Sequence, residues 1–170
     1  MSKPILAAFL VLVLLGASAA GAAIYIRQPV PVIQPIQFSH QVHMKADLTC
    51  NDCHKQAAVG AHATFPTVKA CLLCHKEAKG TNPEEPKIRK YADEGHEIPW
   101  EQVNRLPGHV YFSHVAHVKY AKMECITCHG EMKDRNEPVS VPQIDHLTMN
   151  ACMACHKEKG VSTDCLLCHK

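Results

Sequence analysis

Residues 5–26 form a run of 22 positions without a charge, and no comparable apolar run follows it. At 1.5 Å per residue such a run makes about 33 Å of helix, enough to cross the hydrocarbon core of a bilayer. Residues 1–27 therefore read as an N-terminal transmembrane anchor. A cleaved secretory signal is the competing reading, because Lys3 precedes the run and Ala17-Ser18-Ala19 resembles a cleavage site. The apolar region is longer than that of a signal, which favours an uncleaved anchor. Residues 16–23 read GASAAGAA, and small residues four apart let helices approach closely. That half of the helix suits contact with another membrane protein.

Past the anchor the pattern gives way to punctuation. Residues 28–37 contain Pro29, Pro31 and Pro35 and read as an extended, semi-rigid proline-rich spacer. Residues 81–110 contain Pro83, Pro86, Pro99 and Pro107 among charges of both signs, and read as a loop with little regular structure. The chain has eleven prolines and only nine aromatic residues in 170. Its own side chains would build a thin core, so the fold expected over residues 38–170 is mostly irregular with short α-helices.

The cysteines say what fills that core. All ten fall in five copies of CXXCH: Cys50 and Cys53 with His54, Cys71 and Cys74 with His75, Cys125 and Cys128 with His129, Cys152 and Cys155 with His156, Cys165 and Cys168 with His169. This is the attachment sequence of c-type haem, in which two thiols form thioethers to the porphyrin vinyls and the adjacent imidazole ligates the iron. Zinc ribbons and disulfides also use paired cysteines, but zinc does not require a histidine after every second cysteine, and disulfides do not require the two-residue spacing five times. Five covalently bound haem c groups are expected, with short helices starting at the motifs. The formal charge of +2 omits the haem propionates, which turn the loaded protein acidic and argue against a nucleic-acid partner.

Haem attachment also sets the location. Maturation of c-type cytochromes takes place outside the cytoplasmic membrane, so a single-pass chain with its haem domain on the periplasmic or extracellular side is expected. Lys3 places the amino terminus in the cytoplasm, although Arg27 weakens that charge bias.

An internal repeat organises the domain. Phe38-Ser39-His40-Gln41-Val42-His43 precedes the first motif, and Phe112-Ser113-His114-Val115-Ala116-His117 precedes the third. The second and fourth motifs both read ACxxCHKE. The unit spans 38–80 and recurs at 112–160, with the fifth motif closing the chain. Eight histidines remain after the five proximal ones: His40, His43, His62, His96, His109, His114, His117 and His146. In each HxxH pair the two imidazoles share nearly one helical face, so they can reach neighbouring irons while the phenylalanine covers a porphyrin.

FSHxxH followed by CXXCH resembles the class III multihaem cytochromes c. The resemblance implies that His40 serves the first haem and His114 the third, while His43 and His117 cross to others. A closer likeness covers almost the whole chain: the anchor, two such modules, Ile98-Pro99-Trp100 through Leu106-Pro107 to Val110-Tyr111, and Leu147-Thr148-Met149 before the fourth motif. It is similar to the membrane-anchored pentahaem subunits of alternative complex III, a quinol-oxidising respiratory or photosynthetic complex. One sixth ligand is left. Met149 is the first candidate, since the family has a methionine there and a thioether suits haem iron. His109 is the second; His62, His96 and His146 read as loop histidines.

The likeness implies an electron carrier, not an enzyme by itself. Its partners would be membrane-integral quinol-oxidising subunits, an iron–sulfur subunit that donates electrons, and a cytochrome c or blue copper protein that accepts them. A second reading is an anchored multihaem quinol dehydrogenase feeding a terminal reductase such as a nitrite reductase. A third, a multihaem reductase in its own right, needs an open coordination position, and the surplus of histidines argues against one.

Overall fold

A computed structural model of the chain describes residues 3–26, 30–142 and 147–169. It divides into two units, Met1–Pro31 and Val32–Lys170.

The first unit is a single helix, α1, over Lys3–Ile26. Its apolar stretch, Lys3–Ala23, has a mean hydropathy of 2.4, long and apolar enough to cross a membrane. Leu12, Leu14 and Leu15 are each more than 60% exposed, so the helix buries none of them against its own chain. A helix apolar on every side finds its favourable surroundings in lipid or against another apolar surface.

The second unit is built from short helices joined by irregular chain: α2 (His40–Met44), α3 (Cys50–Cys53), a 3₁₀ turn (Lys55–Ala58), α4 (Val68–His75), α5 (Glu85–Asp93), a π turn (Ala116–Tyr120), α6 (Ile126–His129), α7 (Met149–Glu158) and α8 (Cys165–Cys168). No strand occurs among the described residues; one bridge joins Val110 to His169. The helices begin where side chains can satisfy their free amides. Thr67 caps α4 through Ala70 N–H, and Thr148 caps α7 through Ala151 N–H. These two threonines hold the same place before the second and fourth CXXCH, and Ser39 and Asp164 cap α2 and α8 in the same way.

Only Ile36, Val68 and Ile98 are buried apolar residues among those described. Cys71, Ile88, Tyr91, Ala92 and Trp100 pack around them. Two expectations change here. The segment 81–110 contains α5: Pro86 sits in its first turn, where proline's missing N–H costs nothing, and Glu85 pairs with Arg89 one turn on. The segment 28–37 does not end as a free spacer. Ile36 is in the core, Val32 N–H donates to Ser140 O, and the buried Gln34 amide donates to Glu101 O (2.9 Å) and Val139 O (2.8 Å) while accepting from Glu101 N–H.

Candidate haem-binding sites

Each CXXCH occupies about one helical turn, so its two cysteines, three residues apart, share a face. In the first, third and fifth motifs the histidine amide donates to the carbonyl of the first cysteine, at 2.8, 3.0 and 2.9 Å, which folds the imidazole back over that turn. All ten thiols are free. Burial pushes the thiols of Cys53, Cys71, Cys125, Cys128 and Cys152 up, so they persist in the protonated form. No group of three or more His, Cys, Asp or Glu side chains converges among the described residues.

The histidines are arranged in facing pairs. His43 faces His75 with ring centroids 6.1 Å apart, His114 faces His129 at 6.3 Å with the rings parallel, and His117 faces His156 at 6.2 Å. His109 stacks with His169 at 5.4 Å. His40 is near enough to His54 to be affected by its charge: burial first, then His54, His43 and Arg135, bring the His40 imidazole down to about 4, which keeps it neutral. Burial and the charges of His114 and His54 also lower His129.

Two metal–imidazole bonds of about 2 Å and two ring radii of about 1.15 Å put the centroids about 6.3 Å apart when one ion lies between two imidazoles. Three of the pairs have this span.

Hydrogen bonds orient the rings. Nδ1 of His43 donates to Ser39 O and Nδ1 of His117 to Ser113 O, each at 2.8 Å. His54 reaches Thr64 O at 3.3 Å, His156 reaches Ser162 O at 3.0 Å, and His114 reaches Ala61 O at 3.1 Å. Where Nδ1–H is held by a carbonyl alone, as in His43, His117, His54 and His156, Nε2 carries the free lone pair and is available to a metal; His114 Nδ1 also lies 3.3 Å from the Ala63 N–H. His129 Nδ1 meets the Asn104 amide at 3.4 Å, and His75 Nδ1 meets the Glu85 carboxylate at 2.9 Å. Hydrogen bonds from His75, the Lys79 amide and Arg89 bring the Glu85 carboxyl down to about 2. Neither Asn104 nor Glu85 is signalled by the sequence, because each meets its histidine across a loop and lies in no motif.

The two FSHxxH segments have one geometry. Phe38 lies edge-on to His40 at 4.9 Å and stacked on His43 at 4.4 Å; Phe112 repeats this with His114 at 4.9 Å and His117 at 4.6 Å. Phenylalanine therefore braces its own histidines, a contact not anticipated from sequence. The remaining candidates separate. The Met149 side chain is 62% exposed at the start of α7, whereas Tyr111 N–H donating to Cys168 O at 2.7 Å ties the His109 segment to the last motif. His62 and His96 are exposed, and His146 lies outside the described residues.

Haem c suits this donor set. Beside the free thiols and facing imidazoles, the intervening CXXCH residues Leu73, Ile126 and Leu166 expose apolar side chains that a porphyrin can cover.

Comparison with known proteins agrees. Residues 22–102 match the class III cytochrome c family, and residues 110–170 match cytochrome c7 and related cytochromes c. The menaquinone reductase multihaem cytochrome c subunit of Nitratidesulfovibrio vulgaris Hildenborough is 30% identical over a 161-residue alignment, which covers 81% of this chain and 77% of that protein. Since the relative's alignment takes in most of the chain, including parts of both segments that the two families match separately, the chain belongs to the multihaem cytochromes c, electron carriers with covalently bound haem.

Proposed function

We propose that this chain is the electron-relay subunit of a quinone-coupled membrane complex, with five haem c groups, each held by two histidines. The observation that carries it is the facing of histidine rings across the motifs: His75 with His43, His129 with His114, His156 with His117, and His169 with His109. His40 is assigned to His54 by proximity. His109 is preferred to Met149 because it is stacked on an otherwise unpaired proximal histidine. When bound, haem supplies one-electron chemistry at the iron. The chain's part is to orient the imidazoles, keep sites close together and leave no open position for a substrate. It carries electrons and does not by itself make or break substrate bonds.

The sites follow the order second, first, third, fourth, fifth. Support comes from the proximity of thiols in successive sites: Cys74 to Cys53, Cys50 to Cys125, Cys155 to Cys128, and Cys168 to Cys152. Backbone contacts agree, since His114 N–H donates to Ala61 O and Val115 N–H to Gly60 O, binding the third site's distal histidine to the segment after the first motif. The two ends of the series are then available to partners.

Two phenylalanine-serine-histidine modules, 38–80 and 112–160, form the core of the domain. The apolar helix α1 anchors it as a single-pass protein with the haem domain on the periplasmic or extracellular side of the cytoplasmic membrane. In the leading reading the partners are those of an alternative complex III: membrane-integral quinol-oxidising subunits and an iron–sulfur donor, with a cytochrome c or blue copper protein as acceptor. The reverse direction is the second reading, favoured by the relative's description as part of a menaquinone reductase. Isolation in mild detergent tests both. Co-purification with an iron–sulfur subunit and polytopic membrane proteins, with quinol-driven reduction of the haems, supports the first. Rapid quinone reduction by the pre-reduced complex supports the second, and a chain that purifies alone removes both.

A further inference from the structure

The two modules match at phenylalanine, serine, both histidines and the capping threonine, but the histidines of their second CXXCH motifs differ in hydrogen-bond partner. In the second module His156, the proximal histidine of the fourth site, donates Nδ1–H to a neutral acceptor, Ser162 O at 3.0 Å. In the first module His75, its counterpart, donates to the carboxylate of Glu85 at 2.9 Å. We propose that Glu85 is a positioning residue that acts through His75 to make the second haem site more reducing than the fourth. This rests on the assignment of His75 and His156 as iron ligands.

A carboxylate accepts more strongly than a carbonyl and shifts the imidazole toward imidazolate, a better donor to metal that favours the oxidised state. Burial strengthens the effect, since Glu85 is only 8% exposed and little water screens the bond. The carboxylate is fixed by Lys79 N–H at 2.8 and 3.2 Å. Arg89 donates to the same Oε1 at 3.3 Å and to His75 O at 3.2 Å, withdrawing part of the charge. Its longer contact leaves His75 the closer partner. At the other ring, His43 donates to Ser39 O just as His117 donates to Ser113 O, so the distal ligands add no difference.

The test is a potentiometric titration of the loaded full-length protein. His75→Met and His156→Met first identify the transitions of the second and fourth sites, because replacing imidazole with thioether raises a potential. The second site should lie below the fourth. Glu85→Gln keeps a side chain of the same length without the charge, and should raise the second-site transition so that the reduced-to-oxidised ratio at fixed potential changes at least tenfold, about 59 mV for one electron. Arg89→Gln should move it the other way. Intact mass and low-spin absorption confirm loading of each variant, and if Glu85→Gln fails to load, the sign of Arg89→Gln decides. A second site at or above the fourth, or an unmoved transition in Glu85→Gln, overturns the role of Glu85 while leaving the ligands intact. If neither His75→Met nor His156→Met moves any transition, the ligand assignment itself falls.

Discussion

The imidazole centroids of His109 and His169 lie 5.4 Å apart, with 20° between the ring planes. In the proposed ligation His169 is the proximal histidine of the last motif and His109 its partner at the fifth site. Substituting His109 by alanine should open that site and yield one high-spin, carbon-monoxide-binding haem. Met149→Leu should leave the absorption spectrum and all five potentials unchanged, because the Met149 side chain is exposed. Loss of a methionine-to-iron charge-transfer band in Met149→Leu would return the ligand role to the thioether.

Loading is the second test. Mature protein should carry five covalently attached haems, all low-spin in the ferric state, since each motif offers two free thiols and the proposed ligation gives every site a second histidine. Intact-mass spectrometry gives the count, and four or fewer groups on the isolated membrane form would contradict it.

Gly160 has φ +65°, in the left-handed region, where it ends α7 with Val161 N–H on His156 O. That turn brings Ser162 O back over the His156 ring. A Cβ at Gly160 would meet nothing within 4 Å, so Gly160→Ala adds backbone strain alone, about 1 kcal/mol. Thermal unfolding should register a small loss, with the fourth haem first to change spectrum. An unaltered melting temperature would indicate that the turn relaxes.

The Gln34 side chain joins three stretches of chain: its own, Glu101 and Val139. Gln34→Leu would leave two carbonyls and one amide without this partner in a buried place, at about 1–3 kcal/mol for each group that water does not reach. Denaturant unfolding of the loaded protein should therefore move to a clearly lower midpoint. No shift would mean that water replaces the amide.

The unit boundary after Pro31 guides truncation. A shortened chain starting at Val32 behind a cleavable signal should be soluble and fully loaded, and should fail to join its membrane partners. Starting at Phe38 instead should also lower stability, because Gln34 and Ile36 are lost. Normal complex assembly by the Val32 form would assign the docking surface to the haem domain.

What the sequence makes legible is local. CXXCH, FSHxxH and the repeated threonine before ACxxCH are short-range patterns, and helices and caps lie where those patterns occur. The segment around Pro86 reads as a loop because proline breaks a helix interior, whereas at a helix start it is compatible with continuation. Which irons His43 and His117 reach depends on contacts 32 and 39 positions along the chain, at His75 and His156, and spacing alone carries no such information. His109 has no motif of its own; it is recruited by the bridge from Val110 to His169. Glu85 is invisible for the same reason.

Three buried apolar side chains among the described residues are too few to offset the ordering of a domain this long. Cofactor attachment should therefore act as a checkpoint on the polypeptide: an unloaded chain should stay open to proteases, and each haem attached should remove one more cleavable stretch from the open population.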